Sequence, residues 1–149
     1  MYSNILCGID GSELSTKALR HAVDLATRIG AKLTVVTVTE PSVVVAPGAE
    51  MMMVDTSSII ADLDKAKEES AKAVLTEAEK LAKTSDLAVT VRHIANSPAA
   101  EGILHAGKEL GADLIVMGSH GRRGLGRLLL GSQAAEVLAH AQVPVLVVK

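Results

Sequence analysis

A chain of 149 residues with 48% hydrophobic side chains suffices for one domain with one core, and a net charge of −2 argues against a grip on nucleic-acid backbones. Aromatics make up only 1%, a single Tyr, so the core must be aliphatic and bases have no rings to stack on. A lone cysteine excludes an internal disulfide, and no leader pattern or long apolar run is evident, so a soluble, cytoplasmic protein is expected, with neither nucleic acid nor membrane as partner.

Apolar runs then alternate with helical periodicity. Residues 2–9 read as a first strand, and Ser12 is placed to cap a helix that reaches Ile29 and stops at Gly30. Leu14, Ala18, Leu19, Ala22, Val23, Leu25 and Ala26 form its apolar stripe. Residues 32–38 give a second strand. The loop 41–58 that follows is unusually apolar, with Val43-Val44-Val45-Ala46 and Met51-Met52-Met53-Val54. A lid over a ligand, an adaptable patch for a protein partner and a loop folded back on its own core all fit that composition.

A helix over residues 58–84 carries Ile60, Leu63, Ala71, Val74, Leu75, Ala78 and Leu81 near helical spacing, with a charged, solvated opposite face. Residues 87–94 form a third strand. Ser97 is expected to cap the next helix, with Pro98 at its first position and Gly111 after its end. A fourth strand over 113–117, a helix over 133–140 and a fifth strand over 143–148 complete the chain. Strands alternating with helices predict an α/β fold: a single doubly wound domain, its five-stranded parallel sheet in order 3-2-1-4-5 with helices on both faces.

Between the fourth strand and the last helix stands Gly118-Ser119-His120-Gly121, then nine residues, then Gly131-Ser132. Strand, glycine-rich loop and helix start in that order suit a phosphate. Glycines let the backbone approach an anion, and the helix N-terminus offers free N–H groups. The spacing is neither the dinucleotide fingerprint nor a Walker A loop. It resembles the signature of the universal stress protein family, in its ATP-binding branch. The likeness extends to the opening Ile5-Leu6-Cys7-Gly8-Ile9-Asp10-Gly11-Ser12 and the closing Val143-Pro144-Val145-Leu146-Val147-Val148. It implies the same strand order, ATP as ligand and a homodimer. One departure is Ala95-Asn96-Ser97, where the family commonly has a glycine after the third strand.

In a sheet of this order the ligand crevice lies outside the ends of the first and fourth strands, where the order reverses. Asp10 and Gly118 should therefore face each other across it. Asp10 would accept hydrogen bonds from ribose hydroxyls or meet the adenine side, and the resemblance implies a nucleoside contact there. Asp10-Gly11-Ser12 also reads as a plain turn into a helix cap. Ile9 and Val38, at strand ends, would line an adenine pocket, although core residues there look the same. Gly118, Gly121 and Gly131 would present N–H groups to phosphates. Ser132 would add a hydroxyl and an N–H, compatible with capping the last helix. Ser119 and His120 are further phosphate candidates. Arg122, Arg123 and Arg127 fit either a γ-phosphate pairing or a solvated loop, and favour anions in both cases.

Cys7, mid-strand, reads as a buried inert thiol. No histidines stand at metal-ligand spacing, so any Mg²⁺ is expected to be held chiefly by the phosphates of ATP. No P-loop lysine, kinase catalytic loop or evident general base is present, so slow ATP hydrolysis is the most expected. The expected function is an ATP-binding stress-response or signalling switch. The alternative is a nucleotide-independent, chaperone-like interaction module that uses loop 41–58. An almost wholly apolar strand at 143–148, placed at a sheet edge, predicts a symmetric homodimer.

Overall fold

Successive side chains of a strand point to opposite faces of a sheet, and in β1 (Asn4–Gly8) both faces are buried. Ile5 and Cys7 enter one apolar layer, Leu6 the other. A strand of that kind has to be central. In the computed structural model, which describes residues 1–45, 55–121 and 129–149, β1 lies between β2 (Lys32–Thr39) and β4 (Leu114–Gly118). β3 (Val89–Ala95) and β5 (Val145–Val148) are the edges, and every neighbouring pair is parallel, in the order β3-β2-β1-β4-β5. The α/β architecture and strand order match the sequence-based expectation.

Helix α1 (Glu13–Ile29) starts and stops where expected. Ser15 N–H donates to the Ser12 side chain, and Gly30 closes the helix in the left-handed region at φ 69. With α2 (Ser57–Lys83) it covers the Ile5 and Cys7 face, while α3 (Ala99–Glu109) and α4 (Ser132–His140) cover the Leu6 face. The 27 residues of α2 span about 40 Å, whereas the 8 of β2 span about 26 Å. Its buried residues are Ala71, Leu75, Ala78 and Ala82. The N-terminal turns outrun the sheet, which leaves Leu63 exposed although it falls on the predicted stripe. Among the described residues no helix is long and apolar enough to cross a membrane.

Several boundaries differ from expectation for identifiable reasons. Pro98, not Ser97, is the N-cap of α3. The Ala100 N–H donates instead to Gln133 Oε1 of α4 at 2.8 Å, so the capping oxygen comes from a neighbouring helix. Gly131 is the N-cap of α4 and Ser132 its first residue, which corrects the capping role expected of Ser132. β5 begins at Val145, because Pro144 has no N–H for the ladder; its carbonyl still accepts from Ile115 N–H at 3.0 Å. Asn96 adopts φ 57. It supplies the left-handed turn that a glycine usually provides, and asparagine is one of the few other residues that tolerates it. Residues 46–54 of the apolar loop, including its three methionines, lie outside the described residues, as do Arg122, Arg123 and Arg127.

Candidate functional site

The ends of β1 and β4 diverge over a cleft of about 430 Å³, a volume in the range of small-molecule sites. Two turns and the start of α4 meet on its walls, with the end of β2 and parts of α2 and α3 beside them. The first turn follows β1. Gly11 takes φ 80, a conformation that favours glycine. The Asp10 carboxylate accepts from Ser12 N–H at 2.9 Å. The Ser15 hydroxyl accepts from Asp10 N–H at 3.3 Å and donates to the Ser12 carbonyl at 3.0 Å. The turn-and-cap role of Asp10-Gly11-Ser12 is thus present, and it leaves Asp10 half-buried on the cleft wall.

The second turn follows β4. A Cβ on Gly118 would lie 3.1 Å from the Leu14 backbone, so the start of α1 packs directly on the strand end. Ser119 is 3% exposed; its N–H donates to Val148 O at 2.8 Å, and its carbonyl accepts from Gly131 N–H at 2.8 Å. A Cβ on Gly131 would sit 2.9 Å from that carbonyl, and one on Gly121 would sit 2.6 Å from Asp10 Oδ2. Glycine at both positions lets three segments distant in sequence converge. Among the described residues no side chain caps α4, and the residues of its first turn, Ser132, Gln133 and Ala134, lie on the cleft wall. The first turn of α1, by contrast, is occupied by its own serine.

Ile9, Asp10, Val38, Gly118, Ser119, His120, Gly121, Gly131 and Ser132 all line this one cleft; Arg122 lies outside the described residues. Ile9 is also packed in the α1/α2 layer, and Val38 against the α3/α4 layer. The choice between core and pocket is therefore a false one, since each residue serves in both. The sequence reading missed Ser15, Thr39 and Lys67. Thr39 Oγ1 lies 2.7 Å from His93 Nε2. The Lys67 ammonium donates to the Glu40 carbonyl at 2.7 Å, tying α2 to the end of β2. No local pattern marks either residue, because each meets the cleft only through strand pairing or helix packing. Below the cleft, burial pushes the Cys7 thiol up to about 12, as expected of an inert thiol. Among the described residues no group of three or more His, Cys, Asp or Glu could hold a metal ion.

The family model described as the universal stress protein family matches residues 1–149. The chain belongs to the universal stress protein family. Universal stress protein MJ0531 of Methanocaldococcus jannaschii is 36% identical over 149 residues, covering 100% of this chain and 83% of the relative. The structure of universal stress protein UspA from Lactobacillus plantarum superposes with a TM-score of 0.83 at 27% identity, over 99% of this chain and 98% of that one. A universal stress protein in complex with cAMP gives 0.68 at 26% identity, over 99% and 97%. Within this family fold, the departure at residues 95–97 leaves the turn intact through Asn96.

Proposed function

We propose that this universal stress protein binds an adenine nucleotide, ATP with Mg²⁺, in the cleft between β1 and β4 and acts as a nucleotide-dependent switch in a stress response. The observation that carries this reading is the convergence of the Asp10 turn, the Gly118–Gly121 turn and the uncapped start of α4 on one cleft. A cradle that a Cβ would fill at Gly121 and Gly131, beside a helix start that no described side chain caps, fits a phosphate chain. In this reading Asp10 meets the ribose, Ile9 and Val38 flank the adenine, and Gly118, Ser119, His120, Gly121, Gly131 and Ser132 surround the phosphates, which also hold the Mg²⁺. The related structure in complex with cAMP supports an adenine nucleotide as the ligand class. Residues 1–149 act as one nucleotide-binding domain in the cytoplasm, paired with a second copy through β5.

The test is to denature the purified protein, separate the supernatant by ion exchange and identify any released nucleotide by mass. Near-stoichiometric ATP supports the reading. An empty protein that also gives no heat with Mg-ATP refutes it. One observation favours a second reading, an interaction module independent of nucleotide: Val43 and Val45 are 73% and 86% exposed at the start of loop 41–58. Replacing both by Ser would then abolish partner binding with ATP affinity intact, whereas the switch reading ties the two together.

A further inference from the structure

We infer that Ser119 is a positioning residue: it locks the His120 ring with its proton on Nε2, so that His120 donates to an anionic group held at the start of α4. This deepens the nucleotide reading and rests on it. Ser119 is 3% exposed, and among the described residues its hydroxyl has one partner, His120 Nδ1 at 3.0 Å. Which atom donates follows from counting protons. If Nδ1–H donated to the hydroxyl, the hydroxyl's own proton would be buried without an acceptor, the costlier way to leave a polar group. If the hydroxyl donates, its proton has an acceptor in Nδ1. A neutral imidazole carries one N–H, so it must then stand on Nε2.

The ring is also aimed. His120 Cδ2 lies 3.6 Å from the place a Cβ would take on Gly131, the N-cap of α4. Nε2 is bonded to Cδ2 and is the one ring nitrogen not engaged by Ser119. It therefore lies on the same ring edge as the Cδ2 that faces Gly131, beside the first-turn residues that line the cleft. Gly131 N–H donates to the Ser119 carbonyl at 2.8 Å, so the backbone that carries the ring and the helix start are one connected unit. An imidazole N–H and the positive end of a helix dipole thus converge on one anion. The chemistry they suit is a phosphate oxygen, not a nucleoside.

The experiment has two readouts. Long-range ¹H–¹⁵N spectra of the ligand-free protein at about pH 8.5, above the ordinary histidine range, report which His120 nitrogen carries the proton. Calorimetry compares ATP with adenosine. The expected result is the Nε2–H signature in the wild type, its loss in Ser119→Ala, and an ATP affinity lower by about fivefold in that variant, the scale of freeing one fixed side chain, with adenosine affinity unmoved. His120→Ala should weaken ATP at least as much. Both partners of the Ser119 backbone are retained in Ser119→Ala, and the urea midpoint checks that the variant folds. An Nδ1–H ring in the wild type, an unchanged signature in Ser119→Ala, or wild-type ATP affinity in both variants overturns the inference. A wild-type chain that ignores ATP overturns the functional reading and the anion contact together, and the ring signature separates that failure from a wrong tautomer.

Discussion

One methyl group added at Gly131 tests how closely the two walls of the cleft are joined. Gly131 has φ −61 and ψ 150, a region open to any residue, so Gly131→Ala introduces no backbone strain. The effect is steric. The new Cβ would lie 2.9 Å from the Ser119 carbonyl oxygen and 3.3 Å from His120 Cα, and both obstacles are backbone that cannot swing aside. The start of α4 must back away, stretching the 2.8 Å bond from Gly131 N–H to Ser119 O. Overpacking of this kind destabilises by about 1–3 kcal/mol. The same shift moves the α4 N–H groups away from the Gly118–Gly121 turn. Losing one charge-assisted contact of about 1.4 kcal/mol lowers Mg-ATP affinity roughly tenfold.

Urea unfolding measures the first quantity and calorimetry the second. Gly30→Ala is the control: with φ 69 and nothing within 4 Å of its Cβ, it should lose about 1 kcal/mol to backbone strain alone and bind Mg-ATP normally. Gly131→Glu, which adds a carboxylate at the same place, should abolish binding in a folded protein. If Gly131→Ala is folded and binds Mg-ATP as the wild type does, the phosphate assignment is wrong.

Four further outcomes are expected. Burial raises the Cys7 pKa from 9.0 to about 12, so between those values the unfolded chain gives up a proton that the folded chain keeps. Stability then falls with rising pH by about 1.4 kcal/mol per unit; Cys7→Ala should flatten that slope in urea titrations, and equal slopes would discredit the shift. The N–H groups of Ser3, at 2.7 Å, and Asn4, at 3.0 Å, hold the Asp113 carboxyl below its ordinary value. Its contribution is full above pH 3.8 and is lost as pH falls through the lowered value. Asp113→Ala should speed hydrogen exchange at those two amides at neutral pH, and unchanged exchange would count against the clamp. At φ 57, Asn96→Ala should lose about 1 kcal/mol in urea unfolding while Asn96→Gly does not; equal losses would mean that the turn is not held by backbone preference. Finally, sedimentation should find a dimer at micromolar concentration and a monomer for Leu146→Glu, on the exposed edge strand. A monomeric wild type defeats the pairing.

Much of the fold was legible because it rests on local physics. Ser12 and Gly30 bound α1 as read, since a serine oxygen accepting a first-turn N–H and a glycine in the left-handed region are decided by the residue itself. Strands alternating with helices predicted the parallel sheet in order 3-2-1-4-5, with the first strand central, and the burial of both faces of β1 agrees with that place. The glycines of the cleft were legible as glycines, but what each makes room for was not. That Gly121 lies against Asp10 and Gly131 against Ser119 depends on chain segments far apart in sequence.

The misses share a cause. Ser97 looked like a cap, but the oxygen that serves α3 belongs to Gln133. Leu63 fits the helical period yet faces solvent, because α2 is longer than the strands it covers. Lys67 and Thr39, the latter paired with His93, reach the cleft by packing and strand register, which leave no trace in a local pattern. Residue type and spacing by themselves determined the elements, their order and the glycines that flank the cleft, because those follow from backbone preference and from burying apolar faces. Which groups meet across the cleft was decided only by the tertiary structure, because a hydrogen bond depends on positions in space that separation along the chain does not encode.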